Sequence, residues 1–547
     1  MKGRKLGLLL CAGVICLVFA WFSLRSNGNE TKEFTAFFAV PGVENPYESR
    51  IMKKIEALTG VKVTTEWLAG QTASEVIESM IAKGEYPDYI NGSDAMDLLI
   101  EADALVPLEE YLDDYPYLKA YLTDKQWESL YKEDGHIYFI PPFGVYNQEN
   151  TATMLSGEAF WIQKRVLEWA DYPKLKTVDE YFDLILRYLE ENPMTDGVKN
   201  IGFSILCEDW RYFCLENPPM FLAGYPNDGC AIVDSVTKKA HVYDTIPEAK
   251  QYYKKLNEMY NAKAIEPETF TLTFNQYIDK LSAGNVLGVV DQYWQILDAQ
   301  NTLYASGREE CTYVPFPITA NENIEPKYNC REENLNVADG IAITRSCEDV
   351  EGALQFLNDL LSPEIMILRN WGEEGIDYCV DEEGYFYRSE EQRNNWSNGD
   401  YLKENRCSYT WFPCYEGMLT DGKNTVLPSE QPGEYYARLS DYDKKILDAY
   451  GHKTWKEFMG EEKEGEAWFP LYSCTADWLL DTAHGQALAK MEEIKRLWLP
   501  KIIMSKEEDF EKLWEEYMDI YAAEVDVKAY EKQLNKEIEK RIELNQK

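Results

Sequence analysis

The chain opens with an alternation that leaves little choice of fold. EFTAFFAV at 33–40 is an unbroken apolar run of strand length. After the turn-rich PGVENP, YESRIMKKIEAL has helical spacing and stops at Thr59-Gly60, a C-terminal glycine signal. VKVTTEWL at 61–68 is β-branched with period two. A further helix is expected at about 72–83, then a short strand at Tyr86–Ile90. That strand ends abruptly at Asn-Gly-Ser-Asp, where another apolar-periodic segment starts. Six alternating elements, strand first, imply a largely parallel sheet covered by helices, because parallel neighbours need helical crossovers. Strand-to-helix junctions at the carboxyl edge are where open α/β sheets place ligands.

Downstream the same vocabulary continues. EDGHIYFIPPF at 133–143 carries an Asp-Gly turn before an alternating strand, and TVDEYFDLILRYLEENP at 177–193 opens with a Thr177/Glu180 capping box. KLSAGNVLGVVDQYW, 280–294, reads as helix end, glycine turn and strand. NVADGIAITRS, 336–346, is a strand followed by a helix entered near Ser346. From about 387 to 470 the text is aromatic and weakly periodic. Charged helices close the chain, one with a capping box expected at Ser505 and Glu508. A length of 547 residues suggests about two to four compact units.

Charge narrows the function. A net charge of −41 argues against nucleic acid as a partner, since phosphate contacts need a basic surface. Lys2, Arg4 and Lys5 precede the apolar run at 6–22, and no acidic residue occurs before Glu30. This pattern is a secretory signal or a signal anchor. Cys11 follows Leu10 and Cys16 follows Ile15, which suits lipidation poorly, so an uncleaved anchor is favoured. Ten cysteines lie beyond that run, too sparse for a disulfide scaffold and without C-x-x-C spacing. With four histidines in the whole chain, no zinc chemistry is expected.

Several segments, taken in order, resemble a known family. They include IEALTGVKVTTEW (55–67), MIAKGEYPDYI (80–90), ALVPLEEYLDDYPYLKAYL (104–122), DGHIYFIPP (134–142), NAKAIEPETFT (261–271), SAGNVLGVVDQYW (282–294), ADGIAITRSCEDVEGALQFLNDLLSPE (338–364) and WGEEGIDYCVDEEGYFYR (371–388). The chain is similar to the extracellular solute-binding proteins of bacterial ABC importers, in the large carbohydrate-handling, lipoprotein-like branch. That resemblance implies an α/β, two-lobed periplasmic-binding-protein-like fold of type II, with discontinuous lobes joined by a hinge. Residues 1–32 would be the N-terminal membrane segment and linker. One lobe would comprise 33–145 with 316–375, and the other 146–315 with 376–547, including a helical extension. An oligosaccharide would bind in the cleft and pass to the membrane permease. The expected protein is a monomer without a cofactor, on the outer face of the membrane and held there by residues 6–22.

A sugar offers apolar C–H faces and a ring of hydroxyls, so a cleft for it needs aromatic plates and planar polar side chains. Trp294 resembles the family's cleft tryptophan, with Tyr293 and Asp291 beside it. Trp67, Trp210 with Arg211, Trp411, and Tyr146 with Asn147 are further candidates. Asn91, Ser93 and Asp94 would offer donors and acceptors at the strand end, with an ordinary helix cap as the alternative. For Asp88 a capping or hinge role is favoured, and for Trp371 a structural one. Some relatives hold calcium near 191–202, but here only Asn192, Asp196 and Asn200 could serve, so no metal is expected. No G-x-S-x-G or H-E-x-x-H motif occurs, so catalysis is not expected. The alternatives are a membrane-anchored sensing or adhesion module, or a secreted glycan-active enzyme.

Overall fold

The opening alternation folds into a five-stranded sheet. In this computed structural model, which describes residues 31–41, 49–132, 134–155, 157–332, 335, 337–475 and 478–546, its order is Val61–Leu68, Lys32–Pro41, Tyr89–Asn91, Ile341–Ile343, Phe139–Ile140. The first three strands run parallel, and Ile341–Ile343 lies antiparallel to both of its neighbours. The helix Arg50–Thr59 is capped by the Ser49 hydroxyl, which accepts from the Met52 amide, and ends at Gly60 with φ of 69°. Ala73–Lys83 starts with a reciprocal Thr72/Glu75 capping box.

The strand expected at 86–90 is shorter and later. Pro87 has no N–H to give to a ladder. A side chain does that work instead: both the amide and the hydroxyl of Thr35 donate to Asp88 Oδ2, each at 2.8 Å. Asp88 is therefore a clamp at the amino end of the sheet, remote from the carboxyl edge where a ligand would sit. The helix after Ile341–Ile343 is capped by Asp349 rather than entered near Ser346.

The chain divides into two compact units, Met1–Thr151 with Leu335–Ala437, and Ala152–Asn334 with Arg438–Lys547. Two stretches depart from the expected lobes. Residues 376–437 belong to the first unit, because Arg50 binds Asp377 and Asn405, the Ser49 hydroxyl donates to the Arg406 carbonyl, and Arg369 donates to the Tyr409 and Pro413 carbonyls. Residues 316–334 belong to the second, where the Thr319 and Ala320 amides donate to the Lys176 and Leu222 carbonyls. Side-chain and backbone bonds between segments far apart in sequence carry this packing, and periodicity does not record them.

The second unit has a four-stranded sheet in the order Tyr313–Phe316, Glu158–Gln163, Val286–Gln292, Ile201–Ser204. Val286–Gln292 is parallel to Ile201–Ser204 and antiparallel to Glu158–Gln163. The helix Val178–Glu191 starts with the expected Thr177/Glu180 box. No such box forms at Ser505: its hydroxyl turns back to the Ile502 carbonyl, and the next long helix starts at Phe510. A buried ion pair, Lys164 with Asp443, joins the two chain segments of this unit, with the ammonium over the Trp455 ring at 4.6 Å.

Cys207, Cys214, Cys230, Cys311, Cys347, Cys379, Cys407 and Cys414 are free thiols. Among the described residues no helix is long and apolar enough to cross a membrane. The expected membrane segment at 6–22, with Cys11 and Cys16, lies outside the described residues.

Candidate functional site

Each unit carries an aromatic surface at the carboxyl edge of its sheet. In the second unit the surface begins where Val286–Gln292 hands over to the helix Tyr293–Ala305. At this junction the side-chain period changes from 2 to 3.6, so neighbouring residues take opposite fates. Asp291 is fully buried and Trp294 is 50% exposed. The Trp294 ring stacks on Trp210, which is 54% exposed, with centroids 5.9 Å apart and planes 17° off parallel. Trp210 arrives on the short turn Asp209–Tyr212, after the parallel strand Ile201–Ser204. Arg211 lies between two rings, its guanidinium 4.5 Å from the Trp210 centroid and 4.5 Å from that of Phe274. Tyr293 is half-buried against Trp161 at 5.6 Å, and burial pushes its hydroxyl pKa up.

Asp291 is a correction to the expected ligand set. Its carboxylate accepts from the Tyr277 hydroxyl (2.8 Å), Gln295 Nε2 (2.6 Å), the Gln292 amide (2.7 Å) and the Cys214 thiol (3.4 Å). Burial pushes its pKa up to about 6 although these donors favour the charged form. It holds the first turn of the helix that bears Trp294 and reaches no solvent. Glu158, which sequence reasoning missed, sits opposite Gln292 on the neighbouring strand. It accepts from the side-chain amides of Asn217 and Asn227, and burial raises its pKa strongly. A lone Glu before AFWI carries no signal that would have marked it.

In the first unit Phe38 stands in register with both Trp67 and Asn91 near the carboxyl ends of the three parallel strands. Phe38 stacks on the half-buried Trp67 at 4.9 Å, Trp411 meets Trp67 edge-on at 6.1 Å, and the exposed Phe143 meets Trp411 at 5.0 Å. Trp411 thus reaches this surface from the weakly periodic segment. Phe143 and Phe38 were not singled out from sequence; the Pro-Pro-Phe-Gly that ends the strand near 140 was the available hint.

The polar candidates here divide. Asn91 is fully buried: its carbonyl oxygen accepts from the Ser93 amide at 2.8 Å and its amide faces Asp339, whose pKa burial raises. Ser93 has φ of 51° in a tight turn, half-buried, and Asp94 beside it is exposed. Tyr146 is exposed, while Asn147 donates to the Met418 carbonyl at 2.7 Å. Trp371 is core, at 0% exposure, its indole N–H donating to the Thr425 carbonyl at 2.9 Å. Trp371 is enclosed and Asp88 clamps the amino end of the sheet, so neither lies on this aromatic surface.

The loop at 191–202 is closed by its own bonds. Asn200 Nδ2 donates to the Asn192 carbonyl, its Oδ1 accepts from the Thr195 hydroxyl, and the guanidinium of Arg308 stands 3.8 Å from Asp196.

Two sheets with tryptophans at their carboxyl edges define a protein built to hold a solute. The chain belongs to the family of bacterial extracellular solute-binding proteins, whose model matches residues 50–371. Membership places it outside the cytoplasm, among binding proteins. It is 20% identical over 472 residues to the polygalacturonan/rhamnogalacturonan-binding protein YtcQ of Bacillus subtilis (strain 168), covering 81% of this chain and 89% of that one. Among solved structures it is similar to the ABC-transporter substrate-binding protein FusA of Streptococcus pneumoniae in complex with fructo-nystose, in an EF-hand mutant form. There the identity is 18% and the TM-score 0.64, over 93% of this chain and 99% of that one. A human-milk-oligosaccharide (HMO) binding protein from Bifidobacterium longum infantis matches at 15% identity and TM-score 0.59, over 93% and 99%. These likenesses establish the mixed α/β fold.

Proposed function

We propose that this chain is the substrate-binding subunit of an ABC importer, closing its two units around an oligosaccharide and delivering it to a membrane permease. The observation that carries this reading is the pair of aromatic surfaces, the exposed Trp294 with Trp210 and the half-buried Trp67 and Trp411 with the exposed Phe143, each at a sheet's carboxyl edge. Flat rings cover the apolar faces of a sugar at little cost in side-chain freedom. Family membership and the glycan names of the relatives support the same class of ligand.

The chain changes unit three times, after Thr151, Asn334 and Ala437, which supports a hinge of crossing segments. Trp294, Trp210, Arg211, Tyr293, Trp67 and Trp411 are the proposed contacts, with Tyr146, Asn147, Ser93 and Asp94 at the rim. The protein works as a monomer without a cofactor and makes or breaks no bond. Residues 6–22 hold it to the outer face of the membrane as an uncleaved anchor.

A thermal-shift screen against neutral and acidic oligosaccharides tests this. A ligand at 100 times its Kd stabilises the bound form by about 2.7 kcal/mol. For a unit of this size that corresponds to roughly 5–10 °C. The radius of gyration should shrink on binding. A panel in which no glycan raises the melting point would sink the reading, as would turnover of the glycan that does.

A further inference from the structure

We propose, resting on that reading, that the sugar this site takes is anionic, with a carboxylate received by Arg211 while a ring lies on Trp294. The chain holds 96 acidic side chains against 55 lysines and arginines, so a guanidinium finds a carboxylate easily. Arg50 pairs with Glu373 and Asp377, Arg345 with Asp103, Arg393 with Glu434, and Arg541 with Glu537. Arg211 is an exception: among the described residues no acceptor meets its guanidinium, and its Nε is buried without a partner. Leaving such a donor unpaired is costly, and the cost is relieved if a ligand supplies the acceptor.

The surroundings fit an acceptor from outside. The two rings, each with its centroid 4.5 Å from the guanidinium carbon, hold the group in place and leave its N–H groups as the remaining bonding surface. A planar carboxylate matches that edge with two parallel hydrogen bonds. The nearby carboxylate of Glu208 is engaged elsewhere, accepting from the Phe274 amide at 2.6 Å, a bond that also fixes the second ring. Beneath the tryptophans, Asp291 is enclosed by four donors and Glu158 by two amides. The helix Tyr293–Ala305 starts without a side-chain cap and without an acidic residue in its first turn, so its free N–H groups add positive potential. A second guanidinium, the exposed Arg438, acts on the Tyr293 hydroxyl, and the carboxylate that also acts there, Asp443, is paired with Lys164. The long-range field of an acidic protein repels an anion, yet this local arrangement selects one.

The test uses the full chain and titration calorimetry with di- to tetrasaccharides of galacturonate, glucuronate and mannuronate, each as free acid and as methyl ester. The acid of at least one series should bind about 10- to 100-fold more tightly than its ester, with a gap that narrows as salt rises. R211Q should bring that ratio close to one, and R211K should retain part of it. Measuring the ratio within each variant keeps the result independent of any loss of stability. An ester as tight as its acid, or an unchanged ratio in R211Q, overturns the inference. If no uronate binds while a neutral glycan does, the inference falls and the oligosaccharide reading stands. If neither class binds, both fall.

Discussion

Replacing Trp294 with alanine separates a ligand platform from a core residue. A buried indole covers about 150–250 Å². Trp294 is 50% exposed, so roughly 100 Å² is left for a ligand to cover. At about 25 cal/mol per Å² that area is worth about 2.5 kcal/mol, or roughly 70-fold in Kd. The part already covered rests on Trp210, a contact worth about 1 kcal/mol in the empty protein. Trp371 makes the contrast. It is fully enclosed, and its loss should cost about 3–5 kcal/mol through the cavity, with the Thr425 carbonyl left without its donor. Urea unfolding of both variants without ligand, with calorimetry on whichever glycan the screen finds, gives the comparison. W294A should bind about 70-fold more weakly while losing about 1 kcal/mol of stability, well short of the loss in W371A. Equal destabilisation of the two variants, or wild-type affinity in W294A, would refute the argument from exposure.

Other outcomes follow from buried groups. Asp228 and Asp291 titrate near 6 in the folded chain, above an unfolded aspartate, so the folded state binds their protons more tightly. Together they make stability fall as pH rises from about 4 to 6 and then level off, by up to about 3 kcal/mol each, and D228N should flatten that slope in unfolding measured across the range. D443A strands the Lys164 ammonium, which burial already pushes toward its neutral form; a loss of about 3–5 kcal/mol is expected, largely recovered in the K164M/D443L pair. G417A should lower the melting point markedly. Gly417 has φ of +84°, and an added Cβ would meet the Glu149 carbonyl oxygen at 2.3 Å.

The first sheet was legible because apolar runs, caps and glycine stops all agreed. EFTAFFAV, the Thr59-Gly60 stop and the β-branched alternation at 61–68 each became the element they implied. The late start of the strand at Tyr89 was half legible: Pro87 gave the signal, but the Thr35–Asp88 clamp joins residues far apart in sequence. The membership of 376–437 was illegible, since its fold depends on Arg50 and Arg369 reaching distant backbone and carboxylates. The aromatic site candidates fared by geometry. Trp210 and Trp294 lie just after strand ends and are exposed; Trp371 ends a helix and turns inward, a difference set by what packs around it. Asp291 looked like a hydroxyl binder because its type suits that role, yet strand pleating points it into the unit.

The strand Ile341–Ile343 takes its place between Tyr89–Asn91 and Phe139–Ile140, although all of Ala152–Asn334 separates it from them in the chain. A polypeptide emerging amino end first therefore presents a half-built sheet with open hydrogen-bonding edges until that late segment arrives. Meanwhile the intervening stretch is free to start its own assembly. Truncation anywhere before residue 341 should yield a sticky, unsealed fragment, so secretion speed and edge protection become part of what this order of segments demands.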